Sequence, residues 1–407
     1  MAETKFLIKK CTLIPNGCSL DEEYVIAPGV GMISYYESIE SPTLAMTITF
    51  IDVDQVVSRK GLTGGELVEL TVQDGDEDEF KITKKHRMML NTVRDVITES
   101  NQQVATLDFV SMETIVNETA RLNKKFTGNV SQTVEDILTN DKKGLQTKKE
   151  LFKDEAVNSY SFIGNLKRPF DTIQWLCPKT QSSKEGFGFL FYENLDGYHF
   201  KSIENLLKQE AVRYQKSDRP LENDAKILEN NLDQSNDIGM NCRMGMYANK
   251  TIYIDIENQG AKVVDFNIKK LKLKKELKLM DGLEESPTRL MVKASDVGVS
   301  QKGAKIDETT PPTELDEYKN KSYIRNNLLF SQSLSISIPL NTTLRAGDMI
   351  DIKLPVKKGD GESPTSSYGN EKSNDPSGKY LIAELRHTIG SKTSQTNLRL
   401  IRDVFTA

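Results

Sequence analysis

At 407 residues, 37% hydrophobic and 28% charged with 25 glycines and 13 prolines, the chain is globular in composition, neither collagen-like nor disordered, and longer than one hydrophobic core usually serves. Its 54 basic and 59 acidic side chains leave a formal net charge of −5, which argues against a surface built to neutralise nucleic-acid phosphates or to lie on an anionic membrane. Cys11, Cys18, Cys177 and Cys242 are too dispersed for a paired metal frame and too few for a disulfide scaffold. No apolar run approaches the roughly 20 residues of a membrane span and MAETKFLIKK lacks a signal-peptide core, so a soluble protein with free thiols, made in a cytoplasm, is expected.

From about 5 to 112 the chain reads as strands. LAMTITFID alternates, with Leu44, Met46, Ile48 and Phe50 on one face; GGELVELTVQ, FKITKKHRMM and QVATLDFVS follow, four or five antiparallel strands of a small barrel or sandwich.

From about 113 to 212 the period becomes helical. SMETIVNETARLNKKF carries Ile115, Thr119 and Leu122; VSQTVEDILTN carries Val130, Val134, Ile137 and Leu138 with Ser131 as a plausible N-cap; RPFDTIQWLCP opens with Pro169 in the first turn and stops at Pro178. Trp175 reads as core. GFGFLFYENLDGYHF predicts a hairpin turning at Asp196-Gly197. This middle is an α+β insertion.

Strands return near 244–268, a polar stretch from 282 to 318 reads as a long excursion, and a helix is expected around 315–332. The last strands are SLSISIPL, AGDMIDIKLP, KYLIAELRHTI and TNLRLIRDVF, with 357–378 an exposed mobile loop. The basic run KKLKLKKELK, 269–278, alternates with leucines as a solvated face does.

The two ends of the chain echo one another. GGELVELTVQ and AGDMIDIKLP share a glycine, an acid and an apolar phase: Gly65, Glu66, Val68 and Leu70 answer Gly347, Asp348, Ile350 and Ile352. Around them Leu44, Met46, Ile48 and Phe50 answer Leu334, Ile336, Ile338 and Leu340; 81–89 answers 380–389, with His86 and His387 at nearly matching places; and 103–110 answers 395–403. Four elements in one order with one apolar phase predict two copies of a single β domain, and a trimer of such chains makes a pseudo-six-fold ring.

Chemistry-bearing motifs are incomplete. His86, His199 and His387 have no ligand spacing. Asp74, Asp76 and Asp78 begin like a calcium loop, but Glu79 stands where glycine is needed and Lys85 where the bidentate glutamate belongs. GLTGGE lacks the lysine of a phosphate loop and GVGMIS the third glycine of a dinucleotide fingerprint, so both read as turns; no nucleophile elbow or preferred carboxylate pair appears. No catalytic, cofactor or metal residue is expected.

ISYYESIESPTLAMTITFID (33–52) with GGELVELTV, then RPFDTIQWL and FLFYENLDGYHFKSI, then LRAGDMIDIKLP, SGKYLIAELRHTI and LRLIRD, resembles the baseplate hub protein of contractile-tailed, T-even-like bacteriophages. The resemblance implies a mainly β chain with an α+β insertion, two tail-tube-like antiparallel β-barrel domains and a homotrimeric ring. The implied divisions are 1–112, a first barrel; 113–212, the insertion; 213–281, strands leading into the second barrel; 282–332, a polar excursion and helix; and 333–407, the rest of that barrel. It further implies a structural protein of the virion tail, assembled in the host cytoplasm without cofactor or membrane. Its partners would be the hexameric tail tube protein, the trimeric central spike protein and the surrounding wedge proteins, with DNA passing the channel without sequence-specific binding. A tail-associated hydrolase and the hub of a phage-derived contractile injection system are the competing readings.

Overall fold

The computed structural model describes residues 7–15, 23–53, 55–59, 61–74, 78–99, 102–140, 144–182, 186–216, 226–235, 237–255, 259–270, 282–283, 285–295, 312–354, 376–390 and 394–405. Most of KKLKLKKELK, the DGDEDE tip, Cys18 and nearly all of the 357–378 loop lie outside them.

The fold is mainly β. Alternating aliphatic segments build one large sheet in the order Glu229–Ser235, Gln332–Pro339, Ser394–Arg402, Gly378–Gly390, Val30–Ser38, Ala45–Asp52, Gln102–Ser111, Met88–Glu99, Leu67–Asp74, Leu7–Ile14 and Tyr24–Val25. Asp78–Ile82 adds to 67–74, and Met349–Lys353 adds to 378–390. All these pairs are antiparallel except Ala211–Gln215, which runs parallel on 349–353. In AMTITFID the inward positions Met46, Ile48 and Phe50 are buried, as period-two alternation requires. They share one core with Leu334, Ile336, Ile350 and Leu400 from the other end of the chain. GVGMIS is not a turn: Val30–Ser38 is a strand with Ile33 and Tyr35 inside. GLTGGE is a turn, with Gly61, Gly64 and Gly65 at positive φ.

The insertion holds helices Met112–Thr119, Val130–Thr139 and Pro169–Leu176 over a sheet of Glu150–Lys153, Gly197–Ser202 and Phe189–Asn194. The second helix is capped by Asn129, whose Oδ1 accepts from the Ser131 amide at 2.8 Å; Ser131 lies inside the helix and donates to the Asp154 carbonyl. The hairpin loop is Leu195-Asp196, one residue earlier than expected, because Asn194 pairs with Gly197 and its Oδ1 accepts from the amides of both Asp196 and Gly197. Glycine is required at 197, where a Cβ would stand 2.4 Å from the Glu150 carbonyl of the parallel neighbour.

A third part is a small sheet in the order Gly260–Asn267, Ala248–Asp255, Arg289–Ala294. The excursion expected at 282–318 therefore contains a strand, 289–294, parallel to 248–255. The run 213–281 is likewise divided: 229–235 joins the large sheet, while 248–255 and 260–267 stand apart in the small one. Helix Pro312–Leu329 buries Ile324 and Leu328 against Tyr247 and Phe405. Its Arg325 donates to Glu204 at 2.9 Å and to Asp403 at 2.8 Å, tying the insertion to the C-terminus. No helix among the described residues is long and apolar enough to cross a membrane.

Candidate functional site: two glycine-acid turns and the junction between strand sets

Gly65 and Gly347 have φ of +97° and +93°, a region that favours glycine. The Gly65 amide donates to the Leu90 carbonyl at 2.8 Å and the Leu90 amide donates back to the Glu66 carbonyl at 2.7 Å. At the other end the Gly347 amide donates to the Ile382 carbonyl and the Ile382 amide to the Asp348 carbonyl, both at 2.9 Å. The acid that follows each glycine closes the turn before it: Glu66 accepts from the Thr63 amide at 3.4 Å and Asp348 from the Arg345 amide at 2.8 Å, three residues back in each case. Val68, Leu70, Ile350 and Ile352 then point into the core.

The partner strands bulge at the same step. Leu90 and Thr92 face Phe109 and Asp108, skipping Asn91; Ile382 and Glu384 face Leu400 and Arg399, skipping Ala383. Strand order around these turns also coincides. One set runs 30–38, 45–52, 102–111, 88–99, 67–74 and the other 229–235, 332–339, 394–402, 378–390, 349–353. The glycine-acid turns do not meet, since 378–390, 30–38, 45–52, 102–111 and 88–99 separate their strands in the sheet.

The sets join where Glu384–Gly390 pairs antiparallel with Met32–Ser38. His387 is buried there opposite Tyr35, stacked at 6.0 Å between centroids, and shares a 2.9 Å hydrogen bond with the Thr396 hydroxyl. Burial drives its pKa down to about 3, with Arg345 adding to the effect. Beside it the Glu37 carboxylate accepts from Tyr35 Oη at 2.8 Å, the Leu195 amide at 2.9 Å and the Ala346 amide at 2.7 Å, so one side chain touches both strand sets and the insertion. Burial lifts Glu37 to about 7, against the pull of Arg345 and these donors.

A second buried cluster fastens the insertion. Lys149 Nζ reaches Glu193 at 2.6 Å and Glu113 at 2.8 Å. Ser111 Oγ donates to Glu193 at 2.7 Å and Thr147 Oγ1 to Glu113 at 2.8 Å. Each oxygen of both carboxylates thus has a donor, and the cluster ties 147–149 and the hairpin strand to the end of 102–111. No sequence motif marks out Glu37, Glu113, Lys149 or Glu193, although Glu193 in the apolar run FLFYEN and Glu37 in ISYYES were the available signals.

The histidines are apart. His86 lies in a turn, its Nδ1 accepting from the Thr83 amide at 2.9 Å, and His199 stacks on Tyr192, with burial lowering its pKa to about 4. Among the described residues no group of three or more His, Cys, Asp or Glu side chains could hold a metal ion. Trp175 is half-buried rather than core, with the Lys179 amine 3.0 Å from its ring centroid and Lys167 at 4.6 Å. An open groove of about 760 Å³ beside the junction is lined by polar side chains, among them Ser38, Asn230, Ser337 and Arg399.

No protein-family model matches the chain, and no curated protein matches it. Among solved structures it is similar to the tail protein from Neisseria meningitidis MC58, at 9% identity over 97% of this chain and 96% of that one, with a TM-score of 0.58. It is also similar to the 43 kDa tail protein of prophage MuSo2 from Shewanella oneidensis, at 11% identity over 97% and 98%, with a TM-score of 0.52. At these identities the likeness is one of fold: a mainly β, antiparallel architecture shared along essentially the whole length.

Proposed function

We propose that the chain is a structural protein of a contractile phage tail, the baseplate hub that joins a six-fold tail tube to a three-fold central spike. The carrying observation is the glycine-acid turn used twice, with the same glycine conformation, reciprocal hydrogen bonds, following bulge and strand order. The fold likeness to two tail proteins along nearly their full length supports the same reading.

In this reading the two strand sets are duplicated tail-tube-like barrel domains. The hydrogen bonds equate Leu90 with Ile382, so 88–99, not 81–89, answers 378–390, and His86 has no counterpart in His387. Cross-strand partners equate Met46 with Leu334, two residues from the frame expected from the sequence; a shift of two keeps the same face inward, which is why the apolar phase matched. Three chains of two copies form a pseudo-six-fold annulus that stacks on the tube protein above, the spike protein below and the wedge proteins around, leaving a channel for DNA. The mechanism is geometric, and the buried carboxylates serve cohesion, not catalysis.

Native mass spectrometry with negative-stain class averages tests this. A three-chain ring is expected, and a five-fold ring or open helical order would overturn it.

A further inference from the structure

Resting on that reading, the internal junction also specifies how one chain meets the next. The strand 378–390 uses one edge twice: near Leu381 it takes 349–353, and from Glu384 to Gly390 it takes the outer edge of 30–38. Its counterpart 88–99 uses the first half of that edge at Met89, which pairs with Leu67. From Thr92 onward it has 102–111 on one side and, among the described residues, no strand on the other. The counterpart of 30–38 is 229–235, which pairs with 332–339 on one side and, among the described residues, with nothing on the other. Each half of the internal junction thus has an equivalent left open elsewhere on the chain.

We infer that the 92–97 edge of one chain pairs antiparallel with the 229–235 edge of the next, copying between chains the junction made within the chain. Unpaired strand edges are templates for strand addition. Both edges carry apolar side chains in the open, Val96 and Ile97 at 43% and 57% exposure and Leu232 at 41%. The register follows from the internal one. Thr388 faces Ser34. Ile97 is equivalent to Thr388 through their partners Val104 and Gln395, and Asn231 to Ser34 through Ser335 and Thr47. Ile97 therefore faces Asn231 of the next chain, and Arg94, the equivalent of Arg386, faces the Leu232–Gln234 bulge that carries the exposed Asp233. Because the two edges differ, the contact is head-to-tail, which gives a ring where the rotation closes, as the three-chain reading requires.

The test is a chain carrying Ile97→Cys and Asn231→Cys, oxidised at concentrations where assembly is seen. Inter-chain disulfides that need both cysteines, ending at a closed covalent ring, are expected, and Ile97→Lys should abolish assembly while leaving the circular-dichroism spectrum unchanged. A ring without the cross-link overturns this inference and leaves the tail reading standing. A chain that stays monomeric and uncross-linked also overturns the inference, whereas five-fold or helical order sinks the tail reading itself.

Discussion

Lys149 is one amine serving two buried carboxylates, with its side chain 6% exposed and those of Glu113 and Glu193 at 1% and 0%. Removing one partner of a buried ionic cluster leaves uncompensated charge, so Lys149→Met is expected to cost about 3–5 kcal/mol in urea unfolding. A loss under about 1 kcal/mol would mean that water reaches the cluster. Buried titratable groups at the junction and in the insertion predict a pH dependence. His387 and His199 are held near 3 and 4 by burial, below 6.5, so their contributions are complete above pH 6.5 and are lost as the pH falls through those values. Glu37, lifted by burial from 4.5 to about 7, works the other way: its contribution is full below pH 4.5 and is lost as the pH rises through 7. Between pH 6.5 and 4.5 the histidines weaken the fold on acidification, while Glu37, with Glu193 and Asp348, whose pKa values burial also raises, acts the other way, so the sign is read on one group. Acidification over that range should cost the His387→Gln variant less of its urea midpoint than it costs the parent; an identical pH dependence would show that His387 does not contribute.

At the scale of elements, Gly347 combines two constraints that Gly128 separates. Both have positive φ, +93° and +95°, but a Cβ at 347 would stand 2.1 Å from Tyr192 Oη while a Cβ at 128 meets nothing within 4 Å. Gly128→Ala should therefore cost about 1–2 kcal/mol of backbone strain, and Gly347→Ala roughly 1–3 kcal/mol more from overpacking, read as a difference in thermal or urea midpoints. Equal costs would show that Tyr192 moves aside freely. The strand set was legible because alternation in AMTITFID or MIDIK needs only neighbours in sequence. Register was less so, since a slip of two residues leaves the buried face unchanged. Asn129 displaced Ser131 as cap because tertiary contacts, not composition, decide which of two good capping residues turns inward. Arg289–Ala294 was missed because only Met291 in it is buried, and its partner lies about 40 residues upstream.

For the whole molecule, the repeat of the glycine-acid turn was readable, but the joining of the two sets was not. ENNLDQS, the edge strand 229–235, has one aliphatic residue and no alternation to betray it. The buried charges were equally hidden, because Glu37 acquires its donors from residues 158 and 309 positions away. Those separations bear on synthesis. Arg386 reaches Ser34 across 352 residues of chain, which a ribosome making about 5–20 residues per second needs on the order of 20–70 s to supply. Through that interval the outer edge of Val30–Ser38 has no native cover. Until Leu195 and then Ala346 are made, Glu37 on the inward face of that strand lacks two of the amides that take up its carboxylate, and an inward-facing acid beside an open edge disfavours pairing with the wrong strand.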